Sequence, residues 1–332
     1  MRVLLTGATG FLGRVLARRF AEAGHQVVAL VREHDADLAD LGIEQALGDI
    51  TSLDAVIAAA VGCEAVVHSA AEVAPLARID DYYDVNVRGT ENVLAACEID
   101  GVQCLVFTSC AGVVIDRGDL NGVNETQRPP ERAPSPYLAT KALAERHVLA
   151  ANGPTFATVA LRPHLLWGPG EPRLLTRLAA LARSGRLRLF GEPGKKIDSC
   201  YVDNAADAHL AALDRLEPGA AIAGKAYFIT QGEPASVEGF LNSLLRAAGY
   251  PAETRRLSAG VARMLASTAS LRRAFTGAEP LVTSEALTLF GQSAWFNIAA
   301  ARRELGYAPR VGMSEGLARV SAYLARERMR AR

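Results

Sequence analysis

The chain has 332 residues, half of them hydrophobic, which is enough to bury one large core or two modest ones. Acidic and basic residues balance at 36 each, so bulk charge gives no reason to expect nucleic acid or an anionic membrane surface as a partner. The five cysteines, Cys63, Cys97, Cys104, Cys110 and Cys200, lie neither in close pairs nor at metal-ligand spacing; reduced thiols are expected, with no disulfide and no metal.

The first predicted strand starts at residue 2, and no apolar run reaches the roughly 18 residues of a membrane span. We therefore expect a cytoplasmic protein without a signal peptide. The stretch Leu4-Leu5-Thr6-Gly7-Ala8-Thr9-Gly10-Phe11-Leu12-Gly13 reads as an apolar strand, a glycine turn and the start of an amphipathic helix carrying Val15, Leu16 and Phe20. Gly7 suits the positive φ of a tight turn, Gly10 allows backbone to approach a pyrophosphate, and Gly13 allows close packing of the helix. Unpaired backbone donors at such a helix start face phosphate, so the stretch points to a dinucleotide.

Gly24 closes that helix, and His25 to Val31 reads as a second strand ending at Arg32. In a dinucleotide fold this tip meets the adenosine ribose, where a cation suits a 2′-phosphate and an acid suits a 2′-hydroxyl. Arg32 favours NADP(H); Glu33, one step later, keeps NAD(H) open. A third strand, Glu44 to Leu47, runs into Gly48-Asp49-Ile50, and Thr51-Ser52 opens the next helix. Asp49 reads as a turn residue or as an acceptor for the adenine amino group. Val66-Val67-His68 forms a fourth strand, followed by Ser69-Ala70-Ala71, small enough for backbone to pass beside a cofactor. His68 reads as a satisfied strand-end histidine. A helix with Asn86 and Asn92 leads to a fifth strand, Cys104 to Ser109, and strands alternating with helices argue for a doubly wound parallel sheet.

Four prolines between Gln127 and Pro136 make that segment an irregular loop, after which Ser135 and Pro136 start a helix as N-cap and first position. Tyr137 and Lys141 follow four residues apart on one face. A free tyrosine titrates near ~10, and a neighbouring ammonium lowers that value by stabilising the phenolate. Tyr137 is thus a candidate proton donor, with Lys141 as its partner.

Thr6-Gly-Ala-Thr-Gly-Phe-Leu-Gly13, the Asn86 helix, Tyr137-x-x-x-Lys141 and Leu161-Arg162-Pro163 together resemble the extended short-chain dehydrogenase/reductase family. Leu161 to Gly170, Tyr201 to His209 and Gly224 to Thr230 are similar to its 3β-hydroxysteroid dehydrogenase branch. The resemblance implies a Rossmann doubly wound parallel sheet with a smaller, mainly helical C-terminal substrate domain. Residues 1–165 would form the cofactor domain, with 199–231 returning to it, and 166–332 would bind substrate. Tyr137 would be the general acid and Lys141 its partner and a ribose ligand. The family's third catalytic residue, a Ser or Thr, aligns with Cys110, leaving Cys110, a shifted Ser109 or an assisting Thr108 to bond the same oxygen. The cofactor would meet Gly7, Thr9, Gly10, Phe11, Leu12, Gly13, Arg32, Asp49, Ile50, Ser69, Ala70, Ala71, Asn86, Thr108, Tyr137, Lys141, Pro163 and Leu165.

Within the branch the resemblance is to reductases of long-chain 2-alkyl-3-oxo acids in olefin biosynthesis, then to sterol-4-carboxylate 3-dehydrogenases. It implies NADPH-dependent reduction of such an acid; the alternatives are oxidation of a 3β-hydroxysteroid or 4-carboxysterol, and a non-catalytic NADP sensor. It also implies an apolar small-molecule substrate, a homodimer through the Asn86 and Tyr137 helices, and assembly with other olefin-pathway enzymes. Helices are expected at Leu174 to Ser184, Asp203 to Leu216 and Val237 to Gly249, with a strand at Ala226 to Thr230. Leu257 to Phe275 reads as a helical wall over an apolar substrate or as a helix resting on a membrane surface. His164, Trp167 and Arg173 flank the expected site. Arg173 is placed to pair with a carboxylate, and each of the three reads equally as structural.

Overall fold

The computed structural model describes residues 1–74, 77–116, 118–268 and 282–330. Its first strand, β1 (Arg2–Thr6), owes its place at the sheet centre to an unbroken apolar run, with Val3, Leu4 and Leu5 fully buried. The order that follows is α1 (Phe11–Glu22), β2 (Gln26–Val31), α2 (Ala36–Asp40), β3 (Glu44–Leu47), α3 (Leu53–Ala60) and β4 (Ala65–His68). Next come α4 (Ile79–Tyr83), α5 (Gly89–Asp100), β5 (Cys104–Thr108), a short β6 (Leu120–Val123), α6 (Pro136–Ala150) and β7 (Ala157–Pro163). The main sheet is closed by β11 (Lys225–Ile229), after β8 (Leu166–Trp167), α7 (Leu174–Arg183), β9 (Lys196–Ile197), β10 (Cys200–Tyr201) and α8 (Val202–Leu213).

Seven strands form one sheet in the order β11-β7-β5-β4-β1-β2-β3, and every neighbouring pair is parallel. Side chains alternate between its two faces, as the strand period requires. Val3, Leu5, Val27 and Val67 pack with Leu16 and Phe20 of α1 and Ala205 and Ala208 of α8. Leu4, Val28, Val66 and Leu105 pack on the other face with Val56 of α3, Val93 of α5 and Val148 of α6. The chain order reverses between β1 and β4, whose ends are level because Thr6 pairs with His68. A crevice opens outside the strand tips at such a reversal, and ligands bind there.

The mainly helical part beyond the crevice also carries short strands that the sequence does not mark. A second, four-stranded sheet joins β12 (Ala235–Ser236), β9, β13 (Ala294–Phe296) and β6, drawing together segments up to about 170 residues apart; Trp295 Nε1 donates to Asn121 Oδ1 across it. Strands of two to four residues carry too little periodicity to be read locally. Around it lie α9 (Val237–Ala247), α10 (Ala259–Ser267) and helices Ser284–Phe290 and Met313–Arg330. The expected Leu257 to Phe275 wall is described as far as residue 268, and residues 269–275 of it lie outside the described residues. Among the described residues no helix is long and apolar enough to cross a membrane.

Candidate active site

The glycine turn is built for close approach. Gly7 has φ +73°, and a Cβ there would sit 2.6 Å from the Ala70 nitrogen; a Cβ on Gly13 would sit 1.9 Å from the Gly7 carbonyl oxygen. These two positions press α1 against the β1 and β4 tips, leaving no room for side chains. Helix α1 starts at Gly10 without a side-chain cap and without an acidic residue in its first turn, so its leading N–H groups remain for an anion. The Thr6 hydroxyl holds the neighbouring segment, accepting from Ser69 N at 3.2 Å and Ala70 N at 3.1 Å. It also pairs with His68 Nδ1 at 2.7 Å, and His68 Nε2 reaches Thr90 Oγ1 at 2.9 Å. Both ring nitrogens of His68 are thus used in the structure, and burial pushes its pKa down to about 3.

Pro136 at the first helical position and Ser135, whose hydroxyl accepts from Leu138 N, start α6 where the proline-rich loop ends. This start places half-buried Tyr137 in the cleft and Lys141 one turn behind it. Lys141 is 2 % exposed; its Nζ donates to the Thr108 carbonyl at 2.7 Å and lies 4.1 Å over the Phe107 ring. Burial pushes its pKa down to about 8, against the attraction of Cys110 and Glu145. Glu145 is itself clamped by Arg162 through two bonds of 2.9 and 2.6 Å, a buried pair that fixes the floor under Lys141.

The three candidates for the third catalytic group are in different settings. Cys110 is half-buried in the cleft, its thiol hydrogen-bonds with Tyr137, and burial raises its pKa, so it stays a thiol. Ser109 is 3 % exposed and its hydroxyl is enclosed without a partner among the described residues. The Thr108 hydroxyl bonds His209 Nε2 at 2.8 Å on the far side; His209 Nδ1 is within 2.8 Å of the Ala205 carbonyl, so the bonding makes Thr108 the donor. Thr108 therefore serves Lys141 with its carbonyl.

One cleft of about 770 Å³ runs from the glycine turn past Tyr137 to the second sheet. It is lined by all the expected cofactor positions except one, including Thr9, Phe11, Leu12, Ile50, Ser69, Ala71, Pro163 and Leu165. The exception is Asn86, which is 1 % exposed and sits in a single wide helical turn, Asp84–Arg88, between α4 and α5. Its amide accepts from Glu72 N at 2.7 Å and donates to Glu72 O and Thr140 Oγ1, so it shapes the cleft wall from behind instead of lining it. Asp49 accepts from the Thr51 amide and hydroxyl as a turn residue, while also lining the cleft. Arg32 lines the cleft at the β2 tip and makes no ion pair among the described residues; Glu33 does not line it. Leu165 holds φ +45°, strain on the order of 1 kcal/mol for a residue with a Cβ, at the point where the chain turns into the substrate side.

Sequence reading missed the segment 72–74 as a working part. Ala74 O accepts from the Tyr82 hydroxyl at 2.5 Å, and the Tyr82 ring stands 6.3 Å from that of Tyr137. No local pattern marks it, because its conformation is imposed by Asn86 and Tyr82 from distant elements. Among the described residues no cluster of three His, Cys, Asp or Glu side chains is placed to hold a metal.

Residues 4–259 match the 3-beta hydroxysteroid dehydrogenase/isomerase family. A 2-alkyl-3-oxoalkanoate reductase of Stenotrophomonas maltophilia is 43% identical, covering 97% of this chain and 99% of that protein. A decarboxylating sterol-4-alpha-carboxylate 3-dehydrogenase of Saccharomyces cerevisiae is 34% identical, covering 97% of each. The fold is shared with the Thermus thermophilus UDP-glucose 4-epimerase solved with NAD, with a TM-score of 0.74 and 24% identity over 98% of this chain and 99% of that one. A glycine cradle that a Cβ would fill, at an uncapped helix start, fits a nicotinamide dinucleotide. The chain is an oxidoreductase on a Rossmann sheet, and it belongs to the 3-beta hydroxysteroid dehydrogenase/isomerase family.

Proposed function

We propose that the protein reduces a long-chain 2-alkyl-3-oxo acid to the 3-hydroxy acid with NADPH. The observation that carries this reading is the continuity of one cleft. The Tyr137–Lys141 pair opens onto a wall of Leu166, Leu178, Leu181, Leu189, Leu241 and Phe290, in a chain 43% identical to a protein named for that reaction. Burying alkyl chain against such a wall contributes about 0.8 kcal/mol per methylene. In this assignment residues 1–165 and 199–231 hold the cofactor and the rest of 166–332 holds the substrate.

When bound, the cofactor supplies the hydride. Tyr137 meets the carbonyl oxygen and delivers the proton. The Lys141 ammonium favours the phenolate that remains. Cys110, already bonded to the Tyr137 hydroxyl, is the third group at that oxygen, with a thiol as a weaker donor than a hydroxyl. Arg32 at the β2 tip, without an ion-pair partner among the described residues, supports a 2′-phosphate on the ribose and so NADPH over NADH. The test is oxidation of a long-chain 2-alkyl-3-hydroxy acid with NADP+, followed by Tyr137→Phe. Loss of about 100-fold or more in kcat with NADP+ binding retained is expected; a variant that keeps its turnover refutes the assignment.

A second reading has a specific support in the 34% identity to the sterol-4-alpha-carboxylate dehydrogenase. It shares the 3-hydroxy/3-oxo acid chemistry and reverses the direction. Substrate shape and cofactor preference separate the two.

A further inference from the structure

Five cations line the substrate side of the cleft: Arg173, Arg177, Arg188, Lys195 and Arg256. Lys195 is held by Asp119 at 2.8 Å and Glu192 at 3.1 Å, and Arg256 by Glu238. Arg188 donates to the Gly185 and Leu187 carbonyls, and Arg177 is also engaged. Arg188, like Arg173, meets no carboxylate within ion-pair distance among the described residues; Arg173 differs in that its single side-chain bond, from Nη1 to the Val73 carbonyl, reaches the segment beside Tyr82 and Tyr137, whereas those of Arg188 stay within its own loop. The nearby carboxylate is already committed, since Glu171 accepts from Arg173 N at 2.9 Å and from Leu175 N at 2.8 Å. The Nε–Nη2 edge of Arg173, the edge that takes a carboxylate bidentately, is left open.

The single bond places the guanidinium beside the 72–74 segment. Val73 belongs to the 72–74 segment that receives the Tyr82 hydroxyl, and Tyr82 packs beside Tyr137. The guanidinium is therefore tethered to the wall that backs the proton donor. In a 3-oxo acid the carboxylate carbon is two bonds from the ketone carbon, so both groups must be met on one side of the cleft. We propose that Arg173 is the residue that recognises the substrate carboxylate, selecting acids over esters and neutral ketones and setting the C3 carbonyl against Tyr137. This rests on the acid-reductase reading given above and names the residue that makes the site specific for an acid.

The experiment compares kcat and KM for a long-chain 2-alkyl-3-hydroxy acid and its methyl ester, with NADP+, in the wild type, Arg173→Gln and Arg173→Lys. Wild type is expected to prefer the acid. Arg173→Gln should raise KM for the acid by about 10- to 100-fold, with kcat changed only a few-fold, so that acid-over-ester preference collapses toward one. Arg173→Lys should recover part of it, having the charge without the fork. An unchanged KM for NADP+ reports an intact cleft. Preference that survives Arg173→Gln, or acid and ester weakened equally, overturns the role of Arg173 alone. A wild type with no preference for the acid overturns the substrate reading and this inference with it.

Discussion

Lys141 shows what the site costs at the scale of one residue. The residue is only 2 % exposed, and its pKa is pushed from 10.5 down to about 8. A lysine with a lowered folded pKa destabilises the fold most below that pKa, and the penalty is relieved as pH rises from about 8 toward 10.5. Lys141→Met should therefore stabilise the cofactor-free protein at pH 7, by roughly 2–3 kcal/mol, while removing turnover. Thermal melts at increasing pH check the sign: the advantage of the variant should shrink above pH 8, and a constant advantage would mean the charge is not the cause. Cys110 gives a second test, since a hydroxyl donates better than a thiol. Cys110→Ser is expected to raise kcat about threefold to tenfold and Cys110→Ala to lower it by about tenfold, read by steady-state kinetics on the same acid. A silent Ala variant would return the third role to Ser109.

At the scale of elements the glycine turn is the part most sensitive to a single atom. Gly13→Ala puts a methyl 1.9 Å from the Gly7 oxygen, between backbones that cannot both yield. We expect binding of the reduced nicotinamide cofactor to weaken by more than about tenfold, measured by cofactor fluorescence titration, with the far-ultraviolet spectrum of the sheet retained. Such a turn was legible because three glycines follow an apolar strand and precede a periodic helix. Strands β1, β2, β4 and β5, the Ser135 cap and the Tyr137–Lys141 face were legible for the same reason: each is set by neighbours in sequence. The second sheet was not, because β6 and β13 pair across about 170 residues and each carries only three or four. Nor was the actual work of Asn86, whose wide turn, Asp84–Arg88, sends its amide to Glu72 and Thr140. Residue spacing shows a helix there, but not which way one extra residue per turn rotates it.

Taken whole, the molecule carries three buried neutral histidines, and they make a further prediction. Burial holds His68 at about 3 and His164 and His209 at about 4, against 6.5 for a free side chain. Below pH 6.5 the unfolded chain takes up protons that the folded chain refuses, so stability present above that pH is lost as it falls toward 4. Asp198, raised to about 6 by burial, and Asp207, also raised by burial, act in the opposite sense, but they are two groups against three. The melting temperature should fall steadily from pH 7 to pH 4.5 in calorimetry; a flat profile would mean that these rings are hydrated and charged. The same closed interior joins the cofactor cradle, Tyr137 and the apolar wall into one cleft, and the function follows from what that cleft admits. The decisive measurement is a parallel steady-state assay of a long-chain 2-alkyl-3-hydroxy acid and a 4-carboxy-3β-hydroxysterol, each with NADP+ and with NAD+. We predict turnover of the alkyl acid with a preference for NADP+; turnover of the sterol with NAD+ and none of the alkyl acid would contradict both the substrate and the part assigned to Arg32.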